Sequence, residues 1–140
     1  MTFATLMLLS ACGGSKNPTI PLVVGGHPVQ AEHVFTQQDR ALGLMKRESL
    51  DTDHGMLFSY PDSKVRGFWM KNTWIPLSIA FTDADGRIVK IADMEPHDTS
   101  RTSSLYPAKH ALEMTQGWFE AHGVAKGDVI EGIPEVEAEP

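Results

Sequence analysis

Residues 67–81 form a dense aromatic and apolar run, GFWMKNTWIPLSIAF, which constrains the fold more than any other part of the chain. The run contains two of the three tryptophans, Trp69 and Trp74, and a single cation, Lys71. Aromatic side chains dominate the energetics of cores and interfaces. The run therefore predicts strands that pack into a core, with Lys71 either extending to solvent or binding a ligand.

Size and charge indicate one globular domain. The chain has 140 residues, of which 41% are hydrophobic and 21% charged. The formal net charge is −6, and three of the acids lie in the last six residues. Because Lys and Arg form no basic stripe that could follow a phosphate backbone, we expect no nucleic-acid partner. We predict a single β-rich domain over residues 20–134 and an acidic tail over residues 135–140.

Residues 1–11 have the features of a lipoprotein signal peptide. The apolar stretch 3–9 is shorter than the about 20 residues that a membrane-spanning helix needs. The following Ser-Ala-Cys resembles a bacterial lipobox, which implies cleavage before Cys12 and attachment of lipid to it. The alternative is an apolar terminus with an incidental buried cysteine.

Cys12 is the only cysteine, so no disulfide can form within the chain. We expect Cys12 to be the lipid-attachment residue and residues 12–19 to be a flexible tether. The expected partner is then the membrane, reached through lipidated Cys12, and the expected location is the cell envelope rather than the cytoplasm.

The residue patterns predict an α+β fold that is mostly antiparallel β, with about seven or eight strands in a sandwich or small barrel and two short helices. Apolar alternation predicts a hairpin over residues 20–35, and Asp85-Gly86 predicts a second hairpin turn. Thr36 and Asp39 have the spacing of a helix N-cap, so the first helix is expected over residues 37–49.

The remaining elements are expected to be short. A strand over residues 55–60 should stop at Pro61, because proline cannot donate to a ladder. Residues 94–107 are polar and contain two prolines, so they predict a long exposed loop. Residues 117–122 predict a helical turn.

Seven short motifs occur in order along the chain. They are Gly43-Leu44-Met45-x-Arg47, Gly55-Met56-Leu57-Phe58, Phe68-Trp69-Met70-Lys71-Asn72-Thr73, Ile75-Pro76-Leu77, Ala111-Leu112-Glu113, Gly117-Trp118-Phe119 and Gly127-Asp128. Their order resembles the bacterial and archaeal domain of unknown function 192 family over roughly residues 27–132. The resemblance implies a compact, mainly β domain that is often exported or lipid-anchored, and it implies no reaction. That family usually has Asp after Ile-Pro-Leu, where this chain has Ser78.

Five residues are candidates for a ligand-binding site: Arg47, Trp69, Lys71, Asn72 and Glu113. Lys71 and Asn72 end an aromatic strand before a bend, where they could hold an anion at the mouth of a pocket. Each also has a structural explanation, because asparagine favours turns, lysine reaches solvent and tryptophan often packs in cores. If the strand face that carries Glu113 is buried, Glu113 needs a partner, with Lys71 or Arg47 as the first choices.

The residue types favour a binding protein over an enzyme. We find no nucleophile elbow and no metal-ligand spacing among the six histidines, so we predict no catalytic residue, no metal and no cofactor. The favoured function is an uncharacterised envelope lipoprotein that binds a small ligand or an envelope protein.

Two alternatives stay open. A hydrolase or transferase acting on envelope polymers would use the acids and bases of the loop over residues 93–98, namely Asp93, Glu95, His97 and Asp98. That function requires the loop to converge on the same pocket as Glu113. A purely structural role would instead bury Trp69 and Trp74 in a filled core.

Overall fold

Nine strands and two short helices make up the part of the chain that the structure describes, residues 17–137 of a computed structural model. The strands are β1 (Thr19–Val24), β2 (His27–Val34), β3 (His54–Lys64), β4 (Gly67–Phe68), β5 (Leu77–Thr82), β6 (Ile88–Met94), β7 (Thr102–Ser103), β8 (Ala108–Thr115) and β9 (Ile130–Glu131). The helices are α1 (Gln37–Leu42) and α2 (Trp118–Ala121).

Seven of these strands form one curled half-barrel sheet in the order β6-β5-β8-β3-β2-β1-β9, and β4 pairs with β7 in a small second sheet. The strand pairs of the large sheet are antiparallel except β2 with β3. A parallel pair needs a crossover connection, which residues 35–53 supply together with α1. The predicted α+β fold, mostly antiparallel β with two short helices, is confirmed.

Both predicted hairpins are present. β1 pairs with β2 around Gly25-Gly26, and β5 pairs with β6 across the Asp85-Gly86 turn. In the second turn Oδ1 of Asp83 accepts hydrogen bonds from the backbone N–H groups of Asp85 and Arg87, at 2.9 and 3.0 Å. This side-chain bonding to nearby backbone is what makes aspartate favourable in turns.

The helix expected over residues 37–49 is much shorter, since α1 ends at Leu42. Its start is as predicted, because Oγ1 of Thr36 accepts from the N–H of Asp39 at 3.1 Å. Its end is set by Gly43, which has a positive φ of 48° and donates its N–H to the carbonyl of Asp39. A Cβ at this position would lie 3.3 Å from Cζ of Phe58, so the glycine also permits close packing against the sheet.

Two other predictions from the sequence are also wrong: the end of the strand at Pro61 and the unbroken loop over residues 94–107. β3 continues past Pro61 to Lys64, because its pairing with β8 is irregular between Ser59 and Lys64 and the missing proline N–H lies in that interruption. The segment 94–107, expected to be a loop without structure, contains β7, which pairs with β4.

The large sheet has two apolar faces. The first, here the α2 face, packs residues such as Leu57 and Leu112 against Phe119 of α2. The second, here the aromatic face, packs Phe58 and Phe81 beneath residues 44–50 and 68–75. Because strand side chains alternate between faces, each central strand supplies residues to both cores.

The aromatic run of residues 67–81 divides between core and surface. The Phe68 ring makes edge-to-face contacts with Phe58 and Phe81, with centroids 5.1 and 5.6 Å apart. Trp69 and Trp74 are instead 36% and 46% exposed. A filled core built around these two tryptophans is therefore wrong.

A buried hydrogen-bonded chain links β2, β3 and β8 on the α2 face. Oγ of Ser59 lies 2.9 Å from Nε2 of His33 and 2.9 Å from Nδ1 of His110. Burial lowers the pKa of both histidines, that of His110 to about 4 with the Lys109 charge as a second cause. Both rings are therefore neutral at pH 7, and the hydroxyl can donate to one ring and accept from the other.

Ser78, the departure from the family pattern, has a defined structural role. Its hydroxyl donates to Oδ1 of Asp93 at 2.7 Å and accepts from the N–H of Gly117 at 3.0 Å. Asp93 is the partner of Ser78 in the β5–β6 register. Ser78, which is hydrogen-bonded to Asp93 on the neighbouring strand, therefore supplies the acceptor for the backbone N–H of Gly117, the residue that precedes α2.

Gly55→Ala should strongly destabilise the fold, because a Cβ at Gly55 would lie 2.4 Å from both the carbonyl oxygen of Glu113 and the sulfur of Met114. We expect the free energy of unfolding to fall by about 2 kcal/mol or more, as for an overpacked core position. Gly67→Ala is the matched control, since its Cβ would meet only Arg101 at 3.4 Å. Urea denaturation of both variants measures the difference, and equal losses would contradict the close approach of β3 and β8.

Candidate functional site

A cavity of about 580 Å³ opens on the aromatic face of the sheet, between α1 with its following turn, the end of β3, and β4. Its apolar lining includes Leu44, Phe58 and Phe68, and its ionisable lining comprises Arg40, Tyr60, Asp62, Lys64, Arg66, Arg101 and Glu113. This volume lies within the range of small-molecule sites, which are mostly apolar with a few polar groups.

Glu113 lies deep in this cavity on the central strand β8. Its register partners are Met56 of β3 and Ile79 of β5, and it is only 4% exposed. Burial raises its pKa to about 8, with no other cause of comparable size. Its carboxyl group makes no hydrogen bond or ion pair with any residue in the range 17–137. The group is therefore a neutral carboxylic acid at pH 7 that offers one O–H donor and a carbonyl acceptor to the cavity.

Tyr60 contacts two guanidinium groups at the cavity wall. The guanidinium carbon of Arg66 is 3.5 Å from the ring centroid and that of Arg40 is 4.4 Å away. Burial raises the pKa of the Tyr60 hydroxyl, although both arginine charges oppose this shift. The Tyr60 ring thus makes cation–π contacts with both guanidinium groups at the edge of the cavity.

The two arginines differ in how far the protein already uses them. Arg66 donates from Nε to the carbonyl of Ala108 at 2.7 Å and from Nη2 to Oδ1 of Asp62 at 2.8 Å, with a further contact to the Asp62 carbonyl. Arg40 uses Nη1 alone, which donates to the carbonyls of Phe35 and Ser59. Arg66 therefore has a structural role, whereas Arg40 keeps donors for another partner.

Trp69 carries a second pair of cations. The guanidinium of Arg101 lies 4.4 Å from the indole centroid and the ammonium of Lys71 lies 5.2 Å away. The only hydrogen bond of the Arg101 side chain within the described residues runs from Nη1 to the carbonyl of Gly67, at 3.3 Å. Most donors of Arg101 are therefore available at the cavity mouth.

The structure brings together two of the five predicted site residues. Trp69 and Glu113 line the cavity, whereas Arg47, Lys71 and Asn72 do not. Lys71 is close only through its contact with Trp69.

Arg47 and Asn72 instead have structural partners. Arg47 forms a bidentate pair with Glu32, with Nη2 to Oε2 at 2.8 Å and a shorter contact from Nη1 to Oε1, so the expected pairing with Glu113 is absent. Asn72 has a positive φ of 52° in a turn, and its carbonyl accepts from the N–H of Lys46 at 2.8 Å. Turn geometry explains this asparagine without a ligand.

Sequence reasoning missed Arg40, Tyr60, Arg66 and Arg101. Three of them carry no motif, and only tertiary structure places their side chains around the cavity. Arg66 directly precedes the aromatic run, so its position next to that run was the one usable signal in the sequence.

The loop over residues 93–98 does not converge on this cavity. Asp93, Glu95, His97 and Asp98 are exposed, and none lines the cavity. Glu95 accepts from the Gln116 side chain at 3.1 Å, while hydrogen bonds from Ser100 lower the pKa of Asp98. The geometry required for chemistry at this loop is absent.

A second cavity of about 540 Å³ lies against Phe119 on the α2 face. Three of its charged side chains already have partners, since Lys90 donates to the Ser103 carbonyl at 2.5 Å, Asp93 accepts from Ser78 and Lys126 lies over the Tyr106 ring. The first cavity is the stronger candidate because it alone contains Glu113.

Within residues 17–137, neither helix has the length and apolar character of a membrane span, and His, Cys, Asp and Glu side chains form no group of three or more that could hold a metal ion. The predicted lipid-attachment residue, Cys12, lies outside the described residues.

Glu113→Gln should stabilise the protein increasingly as pH rises. Because Glu113 is neutral in the native protein, folding takes up a proton at any pH where the carboxylate of the unfolded chain is ionised. The contribution of Glu113 to stability therefore falls as the pH rises from about 4.5 to about 8. Relative to wild type, the variant should gain about 3 kcal/mol on going from pH 5 to pH 8, the linkage value for such a shift. Glu120→Gln, at an exposed glutamate of α2, is the control. Urea unfolding at several pH values measures both, and a pH-independent difference for Glu113→Gln would show that Glu113 is ionised in the native protein.

Comparison with known proteins places this fold in a family. The DUF192 family, described as an uncharacterised ACR, matches residues 20–132. A crystal structure from Sinorhizobium meliloti, described provisionally as a transcription regulator, has 33% identity and a TM-score of 0.76, covering 81% of this chain and 92% of that one. A protein of unknown function from Novosphingobium aromaticivorans has 30% identity and a TM-score of 0.79, covering 91% of each chain. No curated protein matches the chain. Because the family match spans most of the sequence, the chain belongs to the DUF192 family, a family of unknown function.

Proposed function

We propose that this protein is a non-enzymatic, small-molecule-binding domain that is held at the cell envelope by a lipid on Cys12. The observation that supports it most is the neutral Glu113, which has no hydrogen-bond or ion-pair partner among residues 17–137 and lines a cavity of about 580 Å³. No fully buried side-chain oxygen among the described residues lacks a hydrogen-bond partner, so the unbonded carboxyl oxygens of Glu113 are accessible from the cavity. A ligand in the cavity could therefore hydrogen-bond to them.

Binding fits the cavity better than catalysis. A carboxyl group with a raised pKa can serve as a general acid, but covalent or hydrolytic chemistry also needs a nucleophile or an activated water beside it. Among residues 17–137 the cavity lining contains no serine, cysteine or histidine, and the hydroxyl of its Thr73 donates to the carbonyl of Lys71. The hydrolase or transferase alternative loses its support, because its acids and bases lie outside the cavity.

The charge of this chain does not favour DNA binding, although the Sinorhizobium meliloti protein is described as a transcription regulator. The formal net charge of this chain is −6, and half of it belongs to acids in the last six residues. The arginines that the structure clusters surround a cavity, where they would meet a small ligand rather than a phosphate backbone.

Native mass spectrometry of the protein purified from its own organism tests the binding function. We expect a retained small molecule in wild type and its loss in Ala41→Trp, because Ala41 is an exposed residue that lines the cavity and a bulky indole there should obstruct the opening. Ala121→Trp is the matched control, an exposed alanine at the end of α2 that lies outside the cavity lining. Equal retention in both variants would place any bound molecule elsewhere and contradict the proposal.

The anchor is tested separately by Cys12→Ser in a bacterial export host. Several acyl chains on one residue give stable membrane attachment, whereas loss of the thiol removes the acceptor for them. We expect the wild type in the membrane fraction and the variant in the soluble fraction, with Ser10→Ala as a control that keeps the cysteine. Unchanged fractionation of Cys12→Ser would refute lipid anchoring without affecting the binding proposal.

A further inference from the structure

We propose that the ligand is a small organic anion, a carboxylate or phosphate monoester with a short apolar body, whose charged end lies at the arginine-lined mouth and whose far end accepts a hydrogen bond from Glu113. This inference rests on the proposed binding function and deepens it by naming the ligand class. Three observations support it: the positive charge around the cavity, the unbonded donors of the arginines at its mouth, and the carboxyl group of Glu113 at its floor.

The cavity carries an excess of positive charge. Its lining, within the part of the chain that the structure describes, holds four cations, Arg40, Lys64, Arg66 and Arg101, against one ionised acid, Asp62. Asp62 pairs with Lys64 and Arg66, each at 2.8 Å, so its single negative charge offsets one of these two positive charges. Arg40 and Arg101 have no acidic partner within the described residues. Their field attracts anions and opposes the entry of amines.

Arg101 is best placed to bind the charged end. Its guanidinium is oriented by the Trp69 ring at 4.4 Å, and its one protein hydrogen bond leaves the rest of the planar fork free. A planar guanidinium binds carboxylate and phosphate oxygens in a bidentate manner. Stacking on the indole reduces the freedom that Arg101 would otherwise lose on binding.

Glu113, at the floor of the cavity, determines which group at the other end of the ligand can bind. The ionisable groups that line the cavity with Glu113 are Tyr60, Asp62 and the four cations, and none of them bonds to its carboxyl group. Because burial keeps Glu113 protonated at pH 7, its O–H can donate to a ketone or hydroxyl oxygen. The apolar side chains Phe58 and Phe68 lie along the same lining and suit a hydrocarbon body between the two ends.

Ligand-observed NMR with the purified full chain tests the charge of the ligand. The probes share one short chain and differ in the head group: valerate, butyl phosphate, valeramide and pentylamine. We expect binding of valerate, butyl phosphate or both, with the pair showing which anion is preferred, and loss of that binding in Ala41→Trp but not in Ala121→Trp. Cavity binding of the amide or amine in preference to both anions would overturn the inference and leave the binding function intact. If no probe shows binding that is lost in Ala41→Trp, both the inferred ligand class and the proposed binding function are contradicted.

Arg101→Gln tests the mouth against a matched control, Arg87→Gln. Both arginines are exposed and donate one side-chain hydrogen bond to a carbonyl, but Arg87 bonds to Gly127 outside the cavity lining. A charge-assisted hydrogen bond of about 1.5 kcal/mol or more corresponds to roughly tenfold in affinity. We expect about that loss for Arg101→Gln and none for Arg87→Gln, and equal affinities would exclude Arg101 from the site.

Glu113 is tested with matched pairs of simple and keto acids of increasing chain length, beginning with valerate and levulinate. A ketone only accepts hydrogen bonds, so the keto acid should bind more tightly wherever residue 113 offers a donor. The preference should persist in Glu113→Gln, which keeps an N–H donor, and vanish in Glu113→Met, which keeps the length but has no donor. Its loss in Glu113→Gln, or its persistence in Glu113→Met, would show that Glu113 does not act as the donor.

Discussion

The pairing of β8 along both of its edges is the constraint on which the rest of the structure depends. β3 and β5 bond to opposite edges of this strand, so its register is fixed on both sides. Side chains alternate along a strand, and a slip of one residue would exchange the two faces. Leu112 is therefore fixed in the core of the α2 face, and Glu113 is held on the aromatic face, where no described residue bonds to its carboxyl group.

The cavity exists because the aromatic face is covered by irregular chain rather than by a long helix. α1 ends at Gly43, and the chain then runs over the face as turns that reach only part of it. The part of this face that the chain does not cover is bordered by Arg40 and Arg66, which contact the Tyr60 ring, and by Arg101, which contacts the Trp69 ring. The cavity thus combines a carboxyl group at its floor with cations at its mouth, and the proposed binding function rests on this arrangement.

Local signals in the sequence predicted much of the fold. Hairpin turns at Gly25-Gly26 and Asp85-Gly86, and the N-cap at Thr36, depend on residues within a few positions of one another. The parallel pairing of β2 with β3 depends on contacts across a long connection, which no local pattern encodes.

The site was predicted only in part for the same reason. Glu113 was recognisable as a carboxylate in an apolar strand, and Trp69 as part of an aromatic run. The cations that complete the cavity come from α1, from the end of β3 and from the segment before β7. Their convergence is a tertiary property, and so is the pairing of Arg47 with Glu32, which removed one predicted member of the site.

His110 and Glu113 are close neighbours on β8, yet they face opposite sides of the sheet and burial moves their pKa values in opposite directions. Unfolding lets His110 bind a proton between about pH 4 and 6.5, so its contribution favours unfolding in acid. Unfolding makes Glu113 release a proton between about pH 4.5 and 8, so its contribution favours the folded state in acid. Between about pH 4.5 and 6.5 the two proton exchanges have opposite signs, so the contributions of these two residues to the pH dependence of stability oppose each other on one strand.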